Sequence, residues 1–118
     1  MTESNFIETK VLDDDILVVK LHGKLDVTTS DEFKNVIQKH LDEGKRDVIL
    51  DCAHLGYVSS YGFSTLVFLQ TRLKKQGGEV KLAAIQGPVA EILKIVHLDK
   101  VLAIYGDTEF ARQSFLES

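Results

Sequence analysis

Short apolar runs alternate with helix-like segments along most of this chain, and this alternation restricts its fold more than any other feature. The runs "DVILD", "EVKLAA" and "VLAIY" have the length and composition of buried strands, and each follows a segment with helical periodicity. Strands joined through a helix connect by right-handed crossovers, which makes them parallel to one another. The sequence therefore predicts an α/β domain with a mixed, mostly parallel sheet of four to five strands and about four helices.

The first two apolar runs have no helix between them. "NFIETKVL" mostly alternates between apolar and polar residues, and "ILVVKL" follows it after the acidic turn "DDD". This arrangement predicts an antiparallel hairpin over residues 5–21, at one edge of the sheet. Residues 22–118 then form the α/β body. There we expect "HGKLDV" to be a loop, and Thr29 with Glu32 three positions later has the form of a capping box for the first helix.

Length, charge and cysteine content limit the classes of function. A chain of 118 residues with 44% hydrophobic content fits one domain over residues 1–118. Its net charge of -4 and its one short basic cluster, "RLKK", argue against binding to nucleic acid or to an anionic membrane. The chain has one cysteine, no signal-peptide pattern and no apolar run of about 20 residues. We therefore expect a cytoplasmic protein without membrane insertion, whose partner is another protein or a small ligand.

Four hydroxyl side chains surround one glycine at the point where the strand "DVILDC" is followed by a helix. They belong to Ser59, Ser60, Tyr61 and Ser64, around Gly62. A helix N-cap belongs at Ser59 or Ser60, and capping alone explains most serines at such positions. A helix N-terminus also stabilises an added phosphate, because unpaired amides and the positive end of the dipole face it. The cluster is thus consistent with capping, with phosphorylation, or with both.

A helical projection divides the segment after this cluster into two faces. The core face holds Gly62, Phe63, Leu66, Val67, Leu69, Gln70 and Leu73. The opposite face holds Tyr61, Ser64, Thr65, Phe68, Thr71, Arg72 and Lys75. Two aromatic rings among small hydroxyl residues have the composition of an interface centre. The competing interpretation is that single exposed aromatics are common, or that the true helical phase rotates Phe68 inward.

Enzymatic interpretations have less support. The four histidines lack metal-ligand spacing, and motifs such as "GxSxG", "CxxC" and "HExxH" do not occur. We expect no catalytic residues, no metal site and no cofactor, although an enzyme or small-ligand binder stays open as a third hypothesis. Cys52 ends an apolar strand and is expected to be a small buried hydrophobe. Asp26, taken by itself, is a turn-forming carboxylate.

The chain resembles a STAS domain of the anti-sigma factor antagonist type over nearly its whole length. The segment "GKLDVTTSDEF" resembles the family's "G-x-L-D-x-x-T/S" pattern, and "GGEVKLAAIQGPVAEILKIVHLDKVLAIYGDTEFA" resembles its C-terminal half. The resemblance implies a non-enzymatic protein switch. Its unphosphorylated form would bind an anti-sigma factor that is also a serine kinase, phosphorylation would release it, and a PP2C-type phosphatase would restore it.

The resemblance also implies site residues. The family carries its acceptor serine in a "D-S-S/T-G" motif, and matching on Gly62 places Ser60 at the acceptor position, Ser59 in place of Asp and Tyr61 in place of Ser or Thr. Asp26 matches the aspartate of the family's first loop, which lies near the acceptor. Together with the exposed face of the helix described above, this predicts as partner-binding residues Asp26, Ser59, Tyr61, Ser64, Thr65 and Phe68.

Because two motif positions differ from the family pattern, a second hypothesis stays open. The chain would then be a constitutive STAS scaffold, a subunit of a sensory complex or of a transporter ATPase assembly, without a working phospho-switch. In either case we expect a monomer or a weak dimer.

Overall fold

Five strands form one mixed sheet, in the order in which they occur along the chain. A computed structural model describes residues 6–117. Its elements are β1 (Ile7–Val11), β2 (Leu17–Leu25), α1 (Val27–Asp42), β3 (Asp47–Val58), α2 (Ser60–Lys75), β4 (Glu79–Ala83), α3 (Gly87–Ile95), a short 3₁₀ turn (Leu98–Lys100), β5 (Ala103–Tyr105) and α4 (Thr108–Leu116). Strand β1 pairs antiparallel with β2, and the later pairs are parallel. The predicted fold class is confirmed. The first residue of the predicted hairpin, Asn5, lies outside the described residues.

Three helices share one core on one face of the sheet, and α4 packs on the other. Phe33 of α1, Leu66 of α2 and Val89 of α3 belong to the same buried apolar cluster as the sheet residues around them. Ala111 of α4 packs instead in a smaller cluster with Ile49. Right-handed crossovers in a constant direction place successive helices on one side, which explains this division. Among the described residues, no helix is long and apolar enough to cross a membrane.

Two strands run further than the sequence predicted. Strand β2 continues through the segment expected to be a loop and ends at Leu25, and β3 continues beyond Asp51 to Val58. Their pairing shifts register twice, between Lys20 and His22 and again between Gly23 and Lys24. Such bulges break the strict alternation that identifies strands in a sequence, so the extension was missed. They also carry the ends of both strands towards the first turns of α1 and α2.

A buried glutamine links α2 to the far half of the sheet. The side chain of Gln70 accepts a hydrogen bond from the Val80 amide at 2.8 Å and donates one to the Val101 carbonyl at 3.1 Å. Gln70 is 3% exposed and Val80 is fully buried. The predicted core-facing position of Gln70 is confirmed, and its polar end forms hydrogen bonds with two backbone groups.

We expect Gln70→Leu to lower the free energy of unfolding by about 1–3 kcal/mol, because it keeps the side-chain volume but removes two hydrogen bonds that Gln70 makes with the backbone of Val80 and Val101. Urea denaturation followed by circular dichroism measures the change. The neighbouring exposed variant Thr71→Ala serves as the control and should change stability by less than about 0.5 kcal/mol. Equal stability of Gln70→Leu and the parent would show that the hydrogen bonds of Gln70 with Val80 and Val101 do not stabilise the fold.

Candidate functional site

The first turns of α1 and α2 lie side by side at the carboxyl ends of β2 and β3. Leu25 and Val58, the last residues of these strands, are paired in the sheet. The Ser59 amide donates a hydrogen bond to the Leu25 carbonyl at 2.9 Å. One backbone bond therefore holds the start of α2 against the residue that precedes Asp26. This edge of a parallel sheet is where α/β proteins commonly place their binding sites.

Asp26 caps α1. Its Oδ1 accepts hydrogen bonds from the Thr28 amide at 2.9 Å and the Thr28 hydroxyl at 2.7 Å, and the Asp26 amide donates to the Thr29 hydroxyl at 2.9 Å. The predicted cap at Thr29 is wrong: Thr29 is the third helical residue, and it closes a capping box with Asp26 rather than with Glu32. The hydrogen bond from the Thr28 hydroxyl, together with those from the Thr28 and Thr29 amides, lowers the pKa of Asp26. A negative charge therefore stands at this end of the sheet at neutral pH.

Ser59, and not Ser60, caps α2. The Ser59 hydroxyl oxygen accepts a hydrogen bond from the Gly62 amide at 3.0 Å, and Ser59 has the extended backbone of an N-cap residue. Ser60 is the first helical residue and is exposed. Its hydroxyl makes no hydrogen bond with any residue in the described range. The capping role is thus filled by the neighbouring serine, and the Ser60 hydroxyl is left accessible.

Gly62 allows the two helix starts to approach this closely. A Cβ atom at this position would overlap the Leu25 carbonyl oxygen and would lie 2.9 Å from Cγ1 of Val58. Only glycine fits there without a backbone shift. The glycine of the hydroxyl cluster is therefore required by packing, independently of any partner.

The aromatic residues predicted to face solvent do so. Tyr61 is 43% exposed and Phe68 is 52% exposed, so Phe68 does not rotate into the core. Ser64 is also exposed. Thr65 is a correction: it is 3% exposed, and its hydroxyl donates to the Tyr61 carbonyl at 3.0 Å. Helix α1 packs along this side of α2 and covers Thr65, which a projection of α2 alone does not reveal.

Sequence reasoning missed a cation on this surface. The Lys34 Nζ atom of α1 lies 5.2 Å from the Tyr61 ring centroid and 5.6 Å from the Phe68 ring centroid. It also lies 3.5 Å from the Tyr61 hydroxyl. Both distances to the rings are within the range of cation–π attraction. No local pattern in the sequence links Lys34 to α2, since the contact depends on how two helices pack.

An apolar cleft borders Ser60 on its other side. Its volume is about 380 Å³, and it lies between α2 and the turn after α3. Its lining consists of Ser60, Phe63, Ser64, Val67, Val96 and Leu98. Nearby, Ile95 is 73% exposed and Val96 is 48% exposed. The Ser60 hydroxyl therefore lies at the boundary between two partly apolar surfaces.

Within residues 6–117, no group of three or more histidine, cysteine or acidic residues is placed to hold a metal ion. His22 and His54, which the sequence showed only as separate histidines, stack across β2 and β3 with ring centroids 5.3 Å apart. Cys52 is buried as predicted, and burial raises the pKa of its thiol to about 12. Such a thiol stays protonated and is a poor nucleophile.

Comparison with known proteins identifies one family. Residues 7–111 match the sequence pattern of the STAS domain. An anti-sigma-B factor antagonist of Staphylococcus epidermidis is 27% identical over 103 residues, which cover 87% of this chain and 94% of that protein. An anti-sigma factor antagonist from Mycobacterium paratuberculosis superposes with a TM-score of 0.78 at 22% identity, with 97% of both chains covered. The Bacillus cell fate determinant SpoIIAA in its phosphorylated form superposes with a TM-score of 0.72 at 15% identity, over 92% of this chain and 98% of that one. The structural matches show the shared fold.

We expect Gly62→Ala to destabilise the fold by about 1–3 kcal/mol, because the new methyl group overlaps backbone that the Ser59–Leu25 hydrogen bond holds in place. Thermal and urea unfolding measure the effect. Gly56→Ala is the matched control, since a Cβ there meets nothing closer than 3.8 Å. If both variants were equally stable, the close approach of the helix starts would not constrain position 62.

Proposed function

The chain belongs to the STAS domain family, and we propose that it is an anti-sigma factor antagonist whose binding is controlled by phosphorylation of Ser60. The relatives that support this carry that activity in their names. The observation that carries the assignment to Ser60 is the division of roles in the hydroxyl cluster. Ser59 provides the cap of α2, and the exposed Ser60 hydroxyl has no hydrogen bond within the described residues that modification would break.

A phosphate on Ser60 fits the fold without rearrangement. The first helical position faces unpaired amides and the positive end of the helix dipole, which stabilise an added charge of roughly -1.5 to -2. The same phosphate adds to the negative charge of Asp26, which stands at the neighbouring helix start. The modification therefore changes the electrostatic potential of the surface and leaves the backbone in place.

Loss of binding follows from this change in potential. A partner surface that accommodates a neutral hydroxyl between Tyr61 and the cleft beside Ser60 has to desolvate or repel a dianion after modification. Penalties of a few kcal/mol are sufficient, because each ~1.4 kcal/mol changes affinity tenfold. In this proposal the switch acts through charge and desolvation at one atom.

The replacement of the family's aspartate by Ser59 is compatible with a working switch. Serine and aspartate are both good N-cap residues, so the start of α2 keeps its cap when one replaces the other. The replacement removes one negative charge beside the proposed acceptor, relative to the family pattern. The proposal therefore predicts altered kinase recognition at this position, with the geometry of the acceptor retained.

The proposed partner is an anti-sigma factor that is also a serine kinase, and a PP2C-type phosphatase resets the switch. The kinase transfers the γ-phosphoryl group of ATP to the Ser60 Oγ atom, and the hydroxyl proton leaves to a base of the kinase. The chain itself supplies no catalytic group and acts as substrate and ligand in the cytoplasm. Its own contribution is the exposed hydroxyl and the surface around it.

Incubation with the cognate kinase and ATP should add one phosphate, on Ser60, as located by mass spectrometry. Ser60→Ala should keep binding to the anti-sigma factor and lose phosphorylation. Ser60→Asp should keep the circular dichroism spectrum of the parent and lose binding, because it places a charge where the partner meets a hydroxyl. Thr71→Ala, which removes an exposed hydroxyl further along the same helix and outside the proposed binding residues, is the control and should keep both properties.

Two other results would change the proposed acceptor or the proposed function. Phosphate on Ser59 or Ser64 would move the acceptor within the cluster. No phosphate on any residue, with binding to the partner intact, would favour the constitutive scaffold over the switch.

We expect Phe68→Ala to weaken binding to the anti-sigma factor by more than about 1 kcal/mol, since a half-exposed aromatic at an interface contributes on association. Its effect on the free energy of unfolding should be small. Calorimetric titration and urea denaturation measure the two quantities. Phe110→Ala removes a ring that is 60% exposed on α4, on the opposite face of the sheet, and should change neither. A large loss of stability in Phe68→Ala would instead make this ring part of the core.

A further inference from the structure

A groove with an apolar floor runs between α1 and α2. Its volume is about 300 Å³, and buried side chains of both helices form the floor: Phe33, Ile37, Leu41, Thr65 and Leu69. Lys34 and Gln38 stand on the α1 side, and Phe68 and Arg72 stand on the α2 side. The one hydroxyl of the floor, on Thr65, already donates to the Tyr61 carbonyl at 3.0 Å. The floor thus favours apolar groups of an occupant.

The two sides of the groove are positively charged. Lys34 and Arg72 form no ion pair with any carboxylate within residues 6–117, whereas Arg112, Lys45 and Lys74 do. Helix α2 contains no acidic residue, and its last turn carries Arg72, Lys74 and Lys75. The chain as a whole has a net charge of -4. Among the described residues that line the groove, the charged side chains are Lys34 and Arg72, so the lining carries positive charge in an acidic protein.

We propose that the α1–α2 groove binds an acidic amphipathic helix of the anti-sigma factor, with apolar side chains on the groove floor and carboxylates at Lys34 and Arg72. The identity of this partner rests on the proposed function. Two packed helices present a groove that a third helix can enter with its apolar face, which is a common mode of peptide recognition. The charge of the two sides selects carboxylates on the flanks of that helix.

The spacing along α2 matches this occupant. Phe68 and Arg72 are four residues apart, which is about 6 Å along the helix axis. An apolar side chain and a carboxylate one turn apart on a partner helix have the same repeat, so an apolar contact with Phe68 and an ion pair with Arg72 can form together. Arginine and aromatic side chains are also the residue types most enriched among those that dominate binding energy.

The groove meets the phosphorylation site through Lys34. This cation lies over the rings of both Tyr61 and Phe68, and Tyr61 directly follows Ser60. A phosphate on Ser60 would place a negative charge at the end of a groove occupied by carboxylates and would compete with them for Lys34. An acidic occupant therefore explains the direction of the switch, in which an added negative charge releases the partner.

Two designed peptides test the charge preference. Both are helical, about four turns long, with Leu at i, i+4 and i+7, and they differ only in carrying Glu or Lys on the flanks of the Leu stripe. Titration into the ¹⁵N-labelled chain, followed by NMR, should give amide shifts along the groove for the Glu peptide. We expect the Glu peptide to bind at least about tenfold more tightly than the Lys peptide. The preference should shrink at about 1 M salt, where the Debye length falls to about 3 Å.

Charge-reversal variants test whether Lys34 and Arg72 cause the preference for the Glu peptide. Lys34→Glu and Arg72→Glu, alone or combined, should lower the affinity for the Glu peptide and raise the affinity for the Lys peptide. Lys75→Glu makes the same change on the same helix at an exposed position outside the groove, and it should leave the order of affinities unchanged. Retained amide dispersion in each variant shows that the fold is intact.

Three results would overturn the proposal: equal affinity for both peptides, shifts that map away from α1 and α2, or no shift with either peptide at millimolar concentration. Binding of the full anti-sigma factor to the parent and to Arg72→Glu separates this proposal from the proposed function. If the parent binds and the variant binds equally well, the groove assignment fails and the antagonist function stands. If the parent does not bind at all while the Glu peptide does, the partner is wrong and the groove assignment stands.

Discussion

The hydrogen bond from the Ser59 amide to the Leu25 carbonyl is the contact on which the geometry of the candidate site depends. It joins the end of β2 to the start of α2, and so places two helix N-termini next to each other at one edge of the sheet. The bulges in the pairing of β2 and β3 bring the strand ends into register for it, and Gly62 leaves room for it. A surface assembled from backbone contacts of this kind is already formed before a partner arrives, which reduces the conformational entropy lost on association.

In the proposed function, two adjacent serines divide two tasks that a single serine would have to combine. A hydroxyl that caps a helix is engaged with a backbone amide, and modification of it would remove the cap. Because Ser59 makes this bond to Gly62, the cap of α2 does not require the Ser60 side chain, which forms no hydrogen bond within the described residues. This arrangement lets the charge at position 60 change while the first turn of α2 stays intact. It is also why the hydroxyl cluster could not be interpreted from its composition alone, since capping and modification use the same residue type.

The properties that follow from one element's own sequence could be predicted, and those that arise between elements could not. The alternation of apolar runs and helices predicted the mixed, mostly parallel sheet, and the periodicity of α2 placed Phe68 outside and Gln70 inside. Thr65 was misplaced because α1 covers one side of α2, and Lys34 was missed because it reaches the aromatic rings from another helix. The cap of α1 was assigned to Thr29 because the capping-box pattern was applied in its most frequent form, with Ser or Thr first. Here the carboxylate of Asp26 takes the cap and the threonine takes the third position.

The distribution of charge connects Ser60, the proposed acceptor, with the surface beside it. The chain is acidic, yet α2 carries only basic charges, and Lys34 is held beside Tyr61 and Phe68 by attraction to their rings. A lysine fixed in this way has lost part of its conformational freedom before any partner binds, so an ion pair formed with it costs less entropy than one formed by a free surface lysine. The same cation lies next to the residue that follows Ser60. Partner carboxylates and a phosphate on Ser60 would therefore compete for the positive charge of Lys34. In the proposed function, this competition is the physical route by which a single modification at the start of α2 would change affinity along the helix.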